Sequence, residues 1–141
     1  VPDRVLNKPG HLTPEELAEM RRHPRYGRDV IEDAERAAGV RDDVALAIAK
    51  DIVYTHHEWW DGSGYPEGLR GNAIPIPGRV MAVVDVYDAI ITRKLYQTPM
   101  SNEEAVAHIV KSQGSHFDPV VVDAFVKVAP TLHLLSQEPE G

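Results

Sequence analysis

The sequence predicts an all-α bundle of about six to seven helices, and three observations carry that expectation. Two capping boxes, Thr13-Pro14-Glu15-Glu16 and Ser101-Asn102-Glu103-Glu104, each set a hydroxyl three residues before a glutamate that can reach back to it. Apolar residues recur at helical spacing through several windows. No stretch alternates as a half-buried strand would.

Taken in order, Thr13 opens a first helix towards His23, with Pro14 at its first position. Pro24 and Gly27 then break or kink the chain, and a second helix runs from about Tyr26 to Ala38, closed by Gly39. Residues 42–58 form a third, with Val44, Ile48, Ile52 and Thr55 near one stripe. The stretch from Trp59 to Pro77 holds four glycines and three prolines, too punctuated for a mere connector. Arg79 to Thr92 is apolar almost all round, which predicts a buried central helix. Its β-branched residues favour a strand locally, but its length and helical neighbours decide for helix. Ser101 opens a helix to about Ser112, and Asp118-Pro119 starts the last one, through Ala129. One domain is expected over 1–129, with a loose tail over 130–141 that shows no clear period.

At 141 residues the chain is long enough to bury roughly two-thirds of its extended surface in one core. No run approaches the ~18 apolar residues of a membrane span. The absence of cysteine excludes disulfides and thiolate metal sites. A metal would need histidine and carboxylate, a donor set suited to iron, manganese or zinc. Lack of cysteine also fits a cytoplasmic setting. Net charge is −7 and no stretch is a basic stripe, which argues against a nucleic acid polymer as partner. A small phosphate-bearing ligand stays open, because bound divalent ions can supply the positive field.

The most informative run is His56-His57-Glu58-Trp59-Trp60-Asp61-Gly62-Ser63-Gly64-Tyr65-Pro66. Adjacent helical residues point about 100° apart, so this histidine pair is suited to one imidazole on each of two neighbouring ions. Metals a few ångströms apart activate water against a phosphate. Asp85 and Asp88 lie one turn apart on the apolar Arg79–Thr92 stretch, where a buried carboxylate needs a donor, a cation or a metal. His23 ends the first helix and faces inward if the Leu17/Met20 stripe does. His23, His56, His57 and Asp85 are thus four ligands from three helices, the usual construction of a metal site in a bundle. Glu58 or Asp88 would orient an imidazole from behind. Trp59 and Trp60 read as loop anchors, His116 as structural, and His11, His108 and His133 as solvent-facing or terminal; Arg70 reads as exposed.

The run HHEWWDGSGYP, followed by GLRGNAIPIPGRVMAVVDVYDAI and later by GSHFDP, resembles the HD-GYP domain, a subgroup of the HD phosphohydrolases that degrade cyclic di-GMP. The opening VPDRVLNKPGHLTPEELAEMRRHPRYG is similar to the segment after that family's HD motif, so the resemblance covers Val1 to about Val128. It implies an HD-domain-like helical fold, with His23, His56, His57 and Asp85 as metal ligands. Two or three divalent metals are implied, most often iron, with manganese or zinc as alternatives and a bridging hydroxide as nucleophile. No other catalytic side chain is implied. The product would be pGpG, then GMP.

The same resemblance places Tyr65 and Pro66 at the pocket border, where the loop can also contact diguanylate-cyclase (GGDEF) domains. It places a receiver or sensory domain and the His-Asp pair that names the family upstream of Val1. The chain opens on Val1 rather than methionine, so a longer parent is expected, and the chain alone is expected to be inactive. One departure lies within Arg93-Lys94-Leu95-Tyr96-Gln97. Lys94 stands where the family has a phosphate-contacting arginine and keeps the charge without the bidentate fork. Gln97 replaces a basic residue. This altered grip leaves two further readings, a catalytically weak interaction module and a phosphohydrolase for another cyclic dinucleotide.

Overall fold

The computed structural model describes residues 10–92 and 101–136. Six α-helices follow one another: α1 Pro14–Met20, α2 His23–Ala38, α3 Val44–Thr55, α4 Ile76–Ile91, α5 Asn102–Lys111 and α6 Pro119–Ser136. A 3-10 turn at Gly71–Ala73 interrupts the long loop between α3 and α4. No strand occurs among the described residues, only an isolated bridge between Gln113 and Phe117. Sequential helices from α2 onward pack on one another, and α4 also meets α6.

The starts of α1, α3 and α5 follow from side-chain chemistry. Thr13 Oγ1 accepts from the Glu16 amide at 3.1 Å while Glu16 accepts from the Thr13 amide at 2.9 Å, closing the capping box. Asp43 accepts from the Leu46 amide at 2.9 Å, and Ser101 accepts from the Glu104 amide at 3.1 Å. Gly39 ends α2 with φ +67°, a conformation that costs a residue with a Cβ.

Ala82, Val83, Tyr87 and Ile90 of α4 meet Ala105 and Ile109 of α5 and Val122, Phe125 and Ala129 of α6, with Phe117 beneath them. The Tyr87 and Phe125 rings cross edge to face at 5.2 Å. This core is a platform of α4–α6, with α3 packed on its α4 side and α2 packed on α3.

Several boundaries differ from expectation. Helix α2 begins at His23, with Pro24 in its first turn, where a missing amide costs nothing, so Pro24 starts the helix and Gly27 lies inside it. Helix α3 stops at Thr55 instead of running to residue 58. Helix α6 passes through Pro130 to Ser136, so residues 130–136 are helical rather than loose. Proline removes one backbone bond there, but Ala129 is buried and Leu132 packs against the core, which holds the segment on course. The expected inward stripes are also weaker: Leu17 is 40% exposed and Val44 74%. Helix α4 is not buried all round, because Val80, Val84, Asp85 and Asp88 are exposed.

Candidate metal centre

Helices α2 and α3 run antiparallel through a short turn, which sets the start of α2 beside the end of α3. His23 is the first residue of α2, His56 caps α3, and His57 follows in the turn. The half-buried side chains of His23, His56 and His57 bring one ring nitrogen each to within 4.8 Å of one another. The His56 and His57 rings lie 4.0 Å apart, and His57 meets His23 edge-on at 4.8 Å. The pair therefore converges instead of fanning out, because α3 ends at Thr55 and the 100° helical step no longer applies to His57.

Two of the three rings are fixed by the backbone. His23 Nδ1 donates to the Met20 carbonyl at 2.7 Å, and His56 Nδ1 donates to the Ile52 carbonyl at 2.7 Å. A carbonyl only accepts, so Nδ1 carries the proton and Nε2 keeps its lone pair for a metal. Burial pushes the His57 imidazole down to about 4, and neighbouring His56 and His23 push the same way. His57 is thus neutral near pH 7 and offers a lone pair as well. Three converging imidazoles suit a divalent metal ion.

The loop after His57 is built onto it. The Tyr65 amide donates to the His57 carbonyl at 3.1 Å, and the Tyr65 ring stacks on the His57 ring at 4.9 Å with planes 9° apart. Gly64 is required by space: a Cβ there would lie 2.5 Å from the His57 carbonyl oxygen and 2.8 Å from the Glu58 carbonyl carbon. Glu58 is 2% exposed, and its carboxylate accepts from the amides of Glu67, Gly68 and Leu69 at 2.9, 2.8 and 2.7 Å. It therefore holds the loop and does not orient an imidazole; the Met20 and Ile52 carbonyls do that. Farther along, Trp59 stacks on His116 at 4.0 Å, and the Trp60 amide donates to the His116 carbonyl at 3.1 Å. Both contacts tie the loop to the segment before α6.

Asp85 and Asp88 are exposed on α4, outside the three-histidine cluster. They were expected to be buried among valines, but the buried side of α4 runs through Gly78, Ala82, Val83, Tyr87 and Ile90. Asp85 still stands close enough to Tyr65 for its charge to help raise that phenol, behind the larger effect of burial. Lys94 and Gln97 lie outside the described residues. His11 and Arg70 are exposed, whereas His108 and His133 are half-buried. Arg21 escaped the sequence reading: its guanidinium lies 5.1 Å from the centre of the Tyr65 ring. A cavity of about 550 Å³ lies there, lined by Leu17, Arg21, Arg22, Arg25, Tyr65 and Pro66. Three arginines converge on it although the chain as a whole carries −7.

Among the described residues, no helix is long and apolar enough to cross a membrane. Residues 1–121 match the family described as HD domain. A probable cyclic di-GMP phosphodiesterase of Vibrio cholerae serotype O1 is 52% identical over 126 residues, 89% of this chain and 28% of that protein. A 3'3'-cGAMP-specific phosphodiesterase of the same organism is 38% identical over 127 residues, 90% of this chain and 23% of that protein. The chain thus spans about a quarter of the length of these curated relatives. The crystal structure of a cyclic GMP-AMP specific phosphodiesterase from V. cholerae superposes with a TM-score of 0.57 at 22% identity, over 94% of this chain and 32% of that one. That likeness supports the helical fold. The match from Val1 through the GYP loop and into α6 places the chain in the HD domain family, in its HD-GYP branch.

Proposed function

We propose that this chain forms the metal-holding part of a phosphodiesterase that opens cyclic di-GMP to pGpG and then to GMP. The observation that carries the reading is the convergence of His23, His56 and His57, two of them locked with Nε2 free. The name and 52% identity of the V. cholerae relative support cyclic di-GMP as the substrate. Divalent ions, two or three and most often iron in this branch, with manganese or zinc as alternatives, supply Lewis acidity and a water of lowered pKa.

Each residue then has a task. His23, His56 and His57 hold the ions, and Asp85 adds the carboxylate from α4. Tyr65 and Pro66 border the pocket. Lys94 and Gln97 meet the phosphates, with a looser grip than an arginine fork gives. The GYP loop offers a face to a diguanylate-cyclase domain, and a receiver or sensory domain in the parent supplies the input, all in the cytoplasm. The 38% identity to a 3'3'-cGAMP-specific enzyme favours that dinucleotide as the second substrate to try.

The deciding experiment is metal analysis and turnover of both dinucleotides by the full-length parent, beside its His56→Ala, His57→Ala and Asp85→Asn variants. The reading expects bound divalent metal, preference for cyclic di-GMP, and loss of metal and activity together in each variant. Full metal content and rate in all three variants would sink it.

A further inference from the structure

His23 and His56 are each oriented by a backbone carbonyl, whereas His57 makes no ring hydrogen bond among the described residues. A ligand without such a partner needs another restraint, because ring orientation sets where its lone pair points. We infer that Arg21 is a positioning residue for His57, acting through Tyr65. The Tyr65 ring lies flat on the imidazole at 4.9 Å, and the Arg21 guanidinium packs 5.1 Å from the centre of the same ring. A cation over an aromatic face is attracted to its negative quadrupole, so Arg21 holds Tyr65 in place.

The chain restrains Tyr65 at its other end as well. Its amide is bonded to the His57 carbonyl, and Gly64 permits an approach that a Cβ would block. Backbone contact sets the distance, and the Arg21–Tyr65 contact sets the tilt. Arg21 forms no ion pair with any described residue. Its neighbour Arg22, by contrast, pairs with Glu19 at 3.2 Å.

The inference concerns metal affinity and so rests on the proposed metal reading; one measurement is therefore made without metal. In the full chain, histidine ring signals report how far the Tyr65 ring current shifts His57. Arg21→Met should reduce that shift while leaving the His23 and His56 signals in place, and Arg21→Lys should restore most of it. Titration with Mn²⁺ should show affinity roughly three- to tenfold weaker for Arg21→Met. Arg21→Lys should recover it, Tyr65→Phe should match the parent chain, and Tyr65→Leu should match Arg21→Met.

Unchanged His57 signals in Arg21→Met would overturn the inference, as would an equal loss in Arg21→Lys. So would an unchanged Mn²⁺ affinity with a raised KM in the parent enzyme, because Arg21 would then serve the substrate from the neighbouring cavity. If no form binds Mn²⁺ while the His57 shift still follows Arg21, the metal reading fails and the positioning role stands.

Discussion

Arg79 on α4 and Asp118 at the head of α6 form an ion pair, Nη1 to Oδ2 at 3.0 Å, with side chains only 15% and 4% exposed. Each partner makes a further hydrogen bond. Arg79 Nε donates to the Ile74 carbonyl at 2.8 Å, and Asp118 Oδ1 accepts from the Val120 amide at 2.9 Å as a helix cap. Asp118→Ala removes the cap and strands a largely buried guanidinium. It should cost about 3–5 kcal/mol in chemical denaturation. A loss below 1 kcal/mol would show that water reaches Arg79.

Gly78 in the first turn of α4 lies against Thr55 at the end of α3, directly before the histidine pair. A Cβ on Gly78 would stand 3.0 Å from Thr55 Cβ and closer still to its hydroxyl. Gly78→Ala should destabilise the chain by about 1–3 kcal/mol through overpacking. Adding Thr55→Ala should recover part of the loss. A neutral Gly78→Ala would mean that the two helices separate freely.

Glu58 replaces, by itself, the partners of three consecutive amides. In Glu58→Gln the side-chain NH₂ must face one of those N–H groups, so one donor is left without an acceptor. The expected cost is about 2–4 kcal/mol, with the loop from Glu67 to Leu69 exchanging its amide protons faster. Amide protection equal to the parent at those three positions would refute the clamp.

His116 lies between the Trp59 and Phe117 rings, and burial pushes its imidazole down to about 4 from 6.5, with Asp61 opposing and His108 assisting. A depressed folded pKa means that the unfolded chain takes up the proton first as pH falls. The stability is therefore complete above pH 6.5 and is lost progressively towards pH 4. His116→Phe keeps the stacking and removes this titration. Relative to that variant, the parent chain should lose about 1–2 kcal/mol between pH 7 and pH 5 in denaturation curves. His57, depressed in the same way without metal, contributes to both proteins and largely cancels, because His116 is the smallest of the causes of its shift. Parallel pH profiles would show that His116 is solvated.

The helices were legible where local chemistry decides them. Thr13 and Ser101 satisfy amides within their own turn, and Gly39 adopts a positive φ that its missing side chain permits. Pro24 and Pro130 misled the reading because proline is tolerated in a first turn and can be overruled by packing further in. The three histidines were legible as residues, but not the direction of their rings.

By itself, the sequence determined the all-α class, most helix starts, and the histidines and GYP loop that mark the family. Each depends on the identity of a residue or on contacts within about four positions. Only the tertiary structure decided that His56 and His57 converge on His23, that Glu58 clamps the loop, and that Asp85 is exposed rather than buried. It alone set Arg21 against Tyr65. The physical reason is that these outcomes turn on where α3 stops and how α2, α3 and α4 lean on one another. Helical periodicity carries no record of that packing.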